Sequence, residues 1–279
     1  MKIDKNALES ARKQFCLDIG MKWEEYLTSP QQKVYIKKTA YKEGTCQVDM
    51  DGARVYEGRC DFFHAMVCLG QLFLIVDEQI YDWAVERYSD YPVEWFCEFG
   101  NLRAIDEKLK EYGHEIRDTH VYMLPGEQVS AQEIPEKIVS GDAECNREAF
   151  QWYDQDEILK FQESNRFTSA ICFSKTQPDM MAVAAVQETA AAEKTYDQSV
   201  MKGMAGVSFD GAYLWQIGIN VDAKEAGRGL ATRLVKLIKD EILAKGITPF
   251  YGTSESHTIS QTVGLKAGFV PAWTEVYVR

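Results

Sequence analysis

The chain has 279 residues, enough for one large domain or two ordinary ones at about 150 residues each. With 46% hydrophobic and 27% charged residues its composition is that of a packed globular protein, which excludes a disordered chain, a collagen and a coiled coil. Lysine and arginine number 31 against 43 aspartates and glutamates, a net charge of −12 that argues against whole-surface attraction to nucleic acid or anionic lipid.

Residues 4–19 place Leu8, Ala11, Phe15 and Ile19 at helical spacing, with Asp4 as N-cap and Gly20 just past the end. Residues 33–40 and 45–56 alternate like strands. The mostly apolar run 65–76 is too short for a membrane span, which needs about 20 residues, and residues 71–76 read as a buried strand. A helix at 80–88 and a strand at 93–99 follow. Asn101 then caps a helix that Gly113 ends, and a strand at 115–124 runs into Pro125-Gly126. Residues 126–141, with Pro135 and Gly141, read as a linker between a first domain, 1–125, and a second, 142–279. The second opens with a helix near 147–163, a strand at 180–187 and an exposed loop at 190–199. Residues 200–208 and 212–221 read as strands joined by a tight turn at Asp210-Gly211. A helix at 232–244, a strand at 248–253, a helix at 258–267 and a strand at 273–278 complete the chain. Alternating strands and helices predict a mixed α/β sheet.

Charge is uneven along the chain. From residue 210 onward eight cations face seven anions, so the negative charge sits on residues 1–209. A small anionic ligand meets least repulsion in the C-terminal part, and a cationic one is drawn to the rest. The seven cysteines are scattered and form no C-x-x-C pair, and the charged opening Met1-Lys2-Ile3-Asp4-Lys5 is unlike a secretory signal. Together these predict a reduced, cytoplasmic protein without a membrane span.

The informative segment starts at Trp215. A strand ends at Val221, a short loop follows, and Gly227-Arg228-Gly229-Leu230-Ala231 opens a helix. Small residues there admit a ligand close to the backbone. The first amides of a helix lack intrahelical acceptors and sit at its positive end, which suits a phosphate. Arg228 and Arg233 are placed to add charge. Two other readings stand beside this one: a glycine-rich start to an ordinary helix, and a dinucleotide site of an oxidoreductase. The second lacks the third glycine of GxGxxG, because Thr232 holds that position.

At these residues the chain resembles the GCN5-related N-acetyltransferases. Their acetyl-coenzyme A motif, Q/R-x-x-G-x-G/A after the fourth strand, is matched by Ala226-Gly227-Arg228-Gly229-Leu230-Ala231. Their second landmark, a helix opened by Asn-x-x-Ser and closed by Gly-Phe, is matched by His257-Thr258-Ile259-Ser260 and Gly268-Phe269. The resemblance covers about residues 140–279, and residues 206–218 look like the preceding hairpin of an uncharacterised bacterial branch. It implies a mixed twisted sheet whose central strands splay apart, with acetyl-coenzyme A in the gap as an added strand. Carried over residue by residue, Ile219, Asn220 and Val221 line that strand, Gly227, Arg228, Gly229, Leu230, Ala231 and Thr232 hold the pyrophosphate, and His257 stands where the family has Asn reaching the cofactor. A strand amide, at Ile219, would stabilise the oxyanion formed when a primary amine of a small molecule or peptide attacks the thioester directly.

Several family positions are changed. The first motif position is Ala226, the general-acid Tyr falls at Gly264, and the usual base positions are Trp215, Ile217 and Gly252. This departure sets a second reading, a non-catalytic acyl-coenzyme A-binding module, beside the acetyltransferase. The neighbouring polar residues Ser254, His257 and Tyr251 are candidates for proton transfer, against a loop or capping role for Ser254. Trp215 reads as core or as a wall of the acceptor pocket.

Elsewhere the signals are weaker. Cys60, His64 and Cys68 would share a face if residues 60–68 were helical, but they read better as a core stripe than as a metal site. His114 and His120 are isolated and read as packing residues. Asn101-Leu102-Arg103-Ala104-Ile105, Gly113 and the strand at 120–124 echo the end of an acetyltransferase domain, so residues 1–125 read either as a degenerate second copy without cofactor or as an unrelated α/β cap walling the acceptor pocket.

Overall fold

A computed structural model describes residues 2–43, 50–54, 60–127, 148–160, 167, 180–188, 193–207 and 209–279. Helix α1, Lys5–Asp18, starts where Asp4 accepts a hydrogen bond from the Ala7 amide at 2.9 Å, and Gly20 turns the chain at φ 68°. It is followed by α2, Trp23–Thr28, and β1, Val34–Thr39. The hairpin of β2, Phe63–Cys68, and β3, Gln71–Asp77, turns at Leu69 and Gly70, both with positive φ. Helices α3, Tyr81–Tyr88, and α4, Phe99–Lys110, lead to β4, Ile116–Pro125. Then come β5, Glu148–Asp154, the single turn α5, Gln155–Ile158, β6, Met181–Gln187, β7, Met201–Val207, and β8, Leu214–Val221. Helix α6, Leu230–Ala244, strand β9, Thr248–Ser254, helix α7, Thr258–Lys266, and strand β10, Phe269–Val278, close the chain.

The ten strands of the described residues form one mixed sheet, in the order β1-β3-β2-β10-β4-β9-β8-β7-β6-β5. Two features of this order interlock the halves. The last strand, β10, pairs antiparallel with β2, while β4 pairs with both β10 and β9. The faces are covered by different helices. On one, α1 packs Ala11 and Phe15 against Phe73, Tyr122, Phe250 and Trp273. On another section, Leu234, Val235, Ile238 and Ile242 of α6 pack against Ile217, Tyr251 and Phe269. Each such fully buried aliphatic chain contributes about 1.5–3 kcal/mol.

Four expectations need correction. Residues 93–99 are not a strand: Val93–Trp95 is a 3-10 turn. Asn101 lies inside α4, where its buried amide donates to the Phe96 carbonyl and its oxygen accepts from the Tyr88 hydroxyl, so it ties two helices together instead of capping one. Residues 148–154 form an edge strand, and among the described residues there the helix is one turn with a capping box from Asp154 and Glu157. The β7–β8 link is wider than a two-residue turn, because the last pair is Val207 with Ile217. Its residues reach α1, where Gln14 Oε1 accepts from the Tyr213 amide at 2.9 Å, and a Cβ at Gly211 would fall 2.5 Å from that oxygen. His64 and Cys68 lie buried on strand β2, in keeping with the expected core stripe, and no helical face joins them to Cys60. Of the expected strand at 45–56, only residues 50–54 are described, and they form a turn; most of the expected linker also lies outside the described residues.

Candidate functional site

The site begins with a strand pair that stops pairing. β8 and β9 run parallel through four pairs, from Leu214 with Thr248 to Ile217 with Tyr251. Beyond that point each strand keeps its other neighbour. Residues 218–221 continue along β7, from Gly218 with Gly206 to Val221 with Gly203. Residues 252–254 continue along β4, from Gly252 with Tyr122 to Ser254 with His120. The sheet therefore opens a wedge between β8 and β9, and the edge of β8 facing it, where Ile219 and Val221 alternate with residues bonded to β7, no longer pairs with β9. Such an edge accepts an extended ligand by strand-like hydrogen bonding. Gly252 is required here, because a Cβ would collide with the Tyr122 ring.

At the outer end of β8, Asp222 caps a short turn by accepting from the Lys224 amide at 2.9 Å. The chain then passes through Gly227 and Gly229, with φ of 78° and 73°, a region that disfavours residues with a Cβ. No atom lies within 4 Å of where a Cβ would stand at either glycine, so both face open space. Buried Leu230 anchors the start of α6. The Arg233 amide bonds to the Gly229 carbonyl at 3.1 Å, which leaves the amides of Leu230, Ala231 and Thr232 without intrahelical acceptors. The first turn of α6 carries no acidic residue, so its positive end is not neutralised from within the helix.

The two arginines differ. Arg228 is half exposed and pairs with Glu225 at 2.9 Å. Arg233 is committed to buried Glu148 on β5 at 2.7 Å, with Lys202 at 3.6 Å from the same carboxylate. Arg233 thus ties α6 to the far edge of the sheet, and the expected contribution of its charge to the loop is largely spent there.

Ser254 and His257 stand on the opposite wall. The Ser254 carbonyl accepts from the His257 amide at 3.1 Å, and the exposed His257 occupies the N-cap position of α7 without a side-chain cap. Tyr251 is buried at the point of divergence and bonds Ser260 on α7 at 2.7 Å. Burial pushes its phenol up, and the Ser260 hydrogen bond only partly offsets this. The Tyr251 ring fills the space beside Gly264, where a Cβ would sit 3.0 Å from it and 2.9 Å from the Met123 sulfur. Trp215 and Ile217 face the α6 core. Trp215 also borders an open cleft of about 720 Å³ at the other end of β8, shared with Trp152, Met181 and Glu241.

A second polar assembly escaped the sequence reading. Glu275 on β10 is fully buried and accepts from Arg54 Nη1 at 2.8 Å, Trp273 Nε1 at 2.6 Å and Tyr277 Oη at 2.6 Å, and it contacts His64 Nε2 at 2.9 Å. Arg54 also donates from Nε to Asp18 at 2.6 Å. Burial alone would raise the Glu275 carboxyl, but the Arg54 guanidinium and the His64 contact outweigh it and hold it well below its ordinary value. His64 belongs to this assembly; among the described residues no three metal-ligating side chains gather into a site.

The fold matches solved GCN5-related acetyltransferases at low identity. A tandem protein of that family from the clavulanic acid biosynthesis pathway matches with a TM-score of 0.40 at 11% identity, covering 61% of this chain and 55% of that one. A GCN5-related N-acetyltransferase-like protein from Streptococcus suis matches with a TM-score of 0.39 at 12% identity, covering 67% and 75%. A GCN5-related N-acetyltransferase from Kribbella flavida gives 0.38 at 14% identity, covering 61% of each chain. The matched part thus spans less than two thirds of the tandem and Kribbella proteins. Neither a family model nor a curated protein matches the sequence. These likenesses concern the fold alone. No helix among the described residues is long and apolar enough to cross a membrane.

Proposed function

We propose that the chain is an acetyl-coenzyme A-dependent N-acetyltransferase. The observation that carries this reading is the wedge between β8 and β9, which opens directly beside the glycine loop at the start of α6. In this reading the pantetheine arm pairs with Ile219, Asn220 and Val221, and the pyrophosphate rests on the amides of residues 227–232. His257 approaches the cofactor from the α7 side, and Ser254 lies beside the thioester. The Ile219 amide stabilises the oxyanion as a primary amine attacks, an effect of about 3–4 kcal/mol where such donors have been removed. The amine belongs to a small molecule or peptide, and the acidic N-terminal surface favours a cationic one.

A second reading, a non-catalytic acyl-coenzyme A-binding module, rests on the packing at Gly252 and Gly264, which leaves both positions without room for a proton-transfer side chain. Thiol release from acetyl-coenzyme A over a panel of amines separates the two. Turnover of any amine supports the acetyltransferase. Binding without turnover supports the module, and absence of binding removes both.

We read residues 1–125 and 142–279 as two units of a cytoplasmic protein, the first a degenerate copy of the second. What supports this is the exchange of β4 and β10 and the presence of one parallel strand pair in each unit, β1 with β3 and β8 with β9.

A further inference from the structure

The acetyl-transfer reading, on which this inference rests, names Ser254 and His257 as candidates for proton transfer, and the structure offers a further group for the proton of the attacking amine. Beyond the point where β8 and β9 part, β9 is bordered by β4 alone. The register sets Tyr122 opposite Gly252 and His120 opposite Ser254. Side chains alternate along a strand, so His120, Tyr122, Gly252 and Ser254 share one face of the sheet. On the other side of β4, His120 is in register with Glu275 of β10.

Most polar groups on this face are tied together. The Tyr122 and Tyr277 hydroxyls lie 2.7 Å apart, Tyr277 donates to Glu275, and Glu275 holds Arg54, Trp273 and His64. His120 stands outside this chain. Its ring lies 6.2 Å from the Tyr122 ring and 5.9 Å from that of Tyr277, without a hydrogen bond to either. Its Nδ1 is buried and has no hydrogen-bond partner among the described residues, the Asp118 carboxylate being 3.7 Å away. The side chain as a whole is 32% exposed. A half-open imidazole with spare hydrogen-bonding capacity, beside the outer part of the wedge, is suited to accept a proton.

We infer that His120, carried by a strand of the N-terminal section, accepts the proton of the acceptor amine. The neutral imidazole takes one proton from the ammonium group. The freed lone pair forms the carbon–nitrogen bond to the thioester carbonyl, and the carbon–sulfur bond breaks. The departing thiolate takes the second nitrogen-bound proton, leaving the amide and free coenzyme A, and His120 returns its proton to solvent across its exposed edge. The reaction centre is thereby shared: the C-terminal section holds the donor, and the N-terminal section supplies the base through β4. The charged and titratable groups that face His120 are Asp118 and Tyr122 on its own strand and Glu275 and Tyr277 on β10.

The test uses the full chain, acetyl-coenzyme A and an amine turned over by the wild type. His120→Gln is expected to lower kcat by about 100-fold or more while acetyl-coenzyme A affinity, by calorimetry, stays within about twofold. The acid limb of the kcat/KM profile should vanish in the variant, and added imidazole should restore part of the activity of His120→Ala. A His120→Gln protein with wild-type kcat overturns the inference, as does one that loses acetyl-coenzyme A binding, since His120 would then be structural. A wild-type profile that is flat between about pH 5.5 and 8 overturns it without any variant. If the wild type binds acetyl-coenzyme A and turns over no amine, the acetyl-transfer reading itself fails.

Discussion

The sheet contains two parallel strand pairs, and they behave differently. β1 and β3 stay in register through six pairs, from Val34 with Leu72 to Thr39 with Asp77. β8 and β9 keep four pairs and then separate. The sealed pair is built on β3, Gln71-Leu72-Phe73-Leu74-Ile75-Val76-Asp77, in which every residue is buried. The open pair places Gly218 and Gly252 immediately past its last contact, and the outer half of each strand is held by a different neighbour. A continuous apolar strand gains by staying packed on both faces. Removing side chains at the branch point, and offering each strand another partner, lets the sheet open without leaving the outer halves unsupported.

The largest effect is expected in the sealed half. Glu275→Ala leaves Arg54 buried with one partner fewer, and loss of about 3–5 kcal/mol is expected in urea unfolding. A cost below about 1 kcal/mol would show that β10 is held by packing alone. The same group gives a pH dependence. Its carboxyl is held below the ordinary value of 4.5, so its contribution is fully present above that pH and is lost as pH falls through the depressed value. Melting temperature should therefore drop on acidification below about pH 4.5, and less steeply in Glu275→Gln.

At the branch point, Gly252→Ala drives a methyl into the Tyr122 ring and should cost about 1–3 kcal/mol in the same measurement. An unchanged midpoint would mean that β4 and β9 are looser than their register implies. At the loop, Gly229→Trp adds left-handed strain of about 1–2 kcal/mol and a bulky wall in open space. Acetyl-coenzyme A affinity should fall at least about tenfold by calorimetry while the fold persists. The smallest effect is expected for His257→Ala, which removes one contact to the cofactor and should weaken affinity by up to about tenfold. A fall in turnover without a change in affinity would instead place His257 at the chemistry.

Legibility in the sequence follows the range of the interactions. The loop at 227–232 was readable because positive-φ glycines and a following amphipathic helix are local features. Helix α1 was readable for the same reason, from Asp4 at its start to Gly20 past its end. Asn101 misled because its side chain serves a tertiary bond to Phe96, a use that its position does not reveal. Residues 148–154 carry apolar residues at spacings that suit a helix, yet pairing with β6 makes them an edge strand. The exchange of β4 and β10 and the burial of Glu275 depend on partners more than 100 positions away, such as Arg54 at a separation of 221. His120 read as isolated because its neighbours Ser254 and Glu275 arrive only through that exchange.

Hydrogen–deuterium exchange with and without saturating acetyl-coenzyme A tests the opening of β8 from β9 most directly. The amides of Ile219, Val221 and residues 229–232 should exchange freely in the unliganded protein and become protected together on binding. Unchanged exchange in both segments, or protection confined to the cleft around Trp152 and Trp215, would contradict a donor site in the wedge.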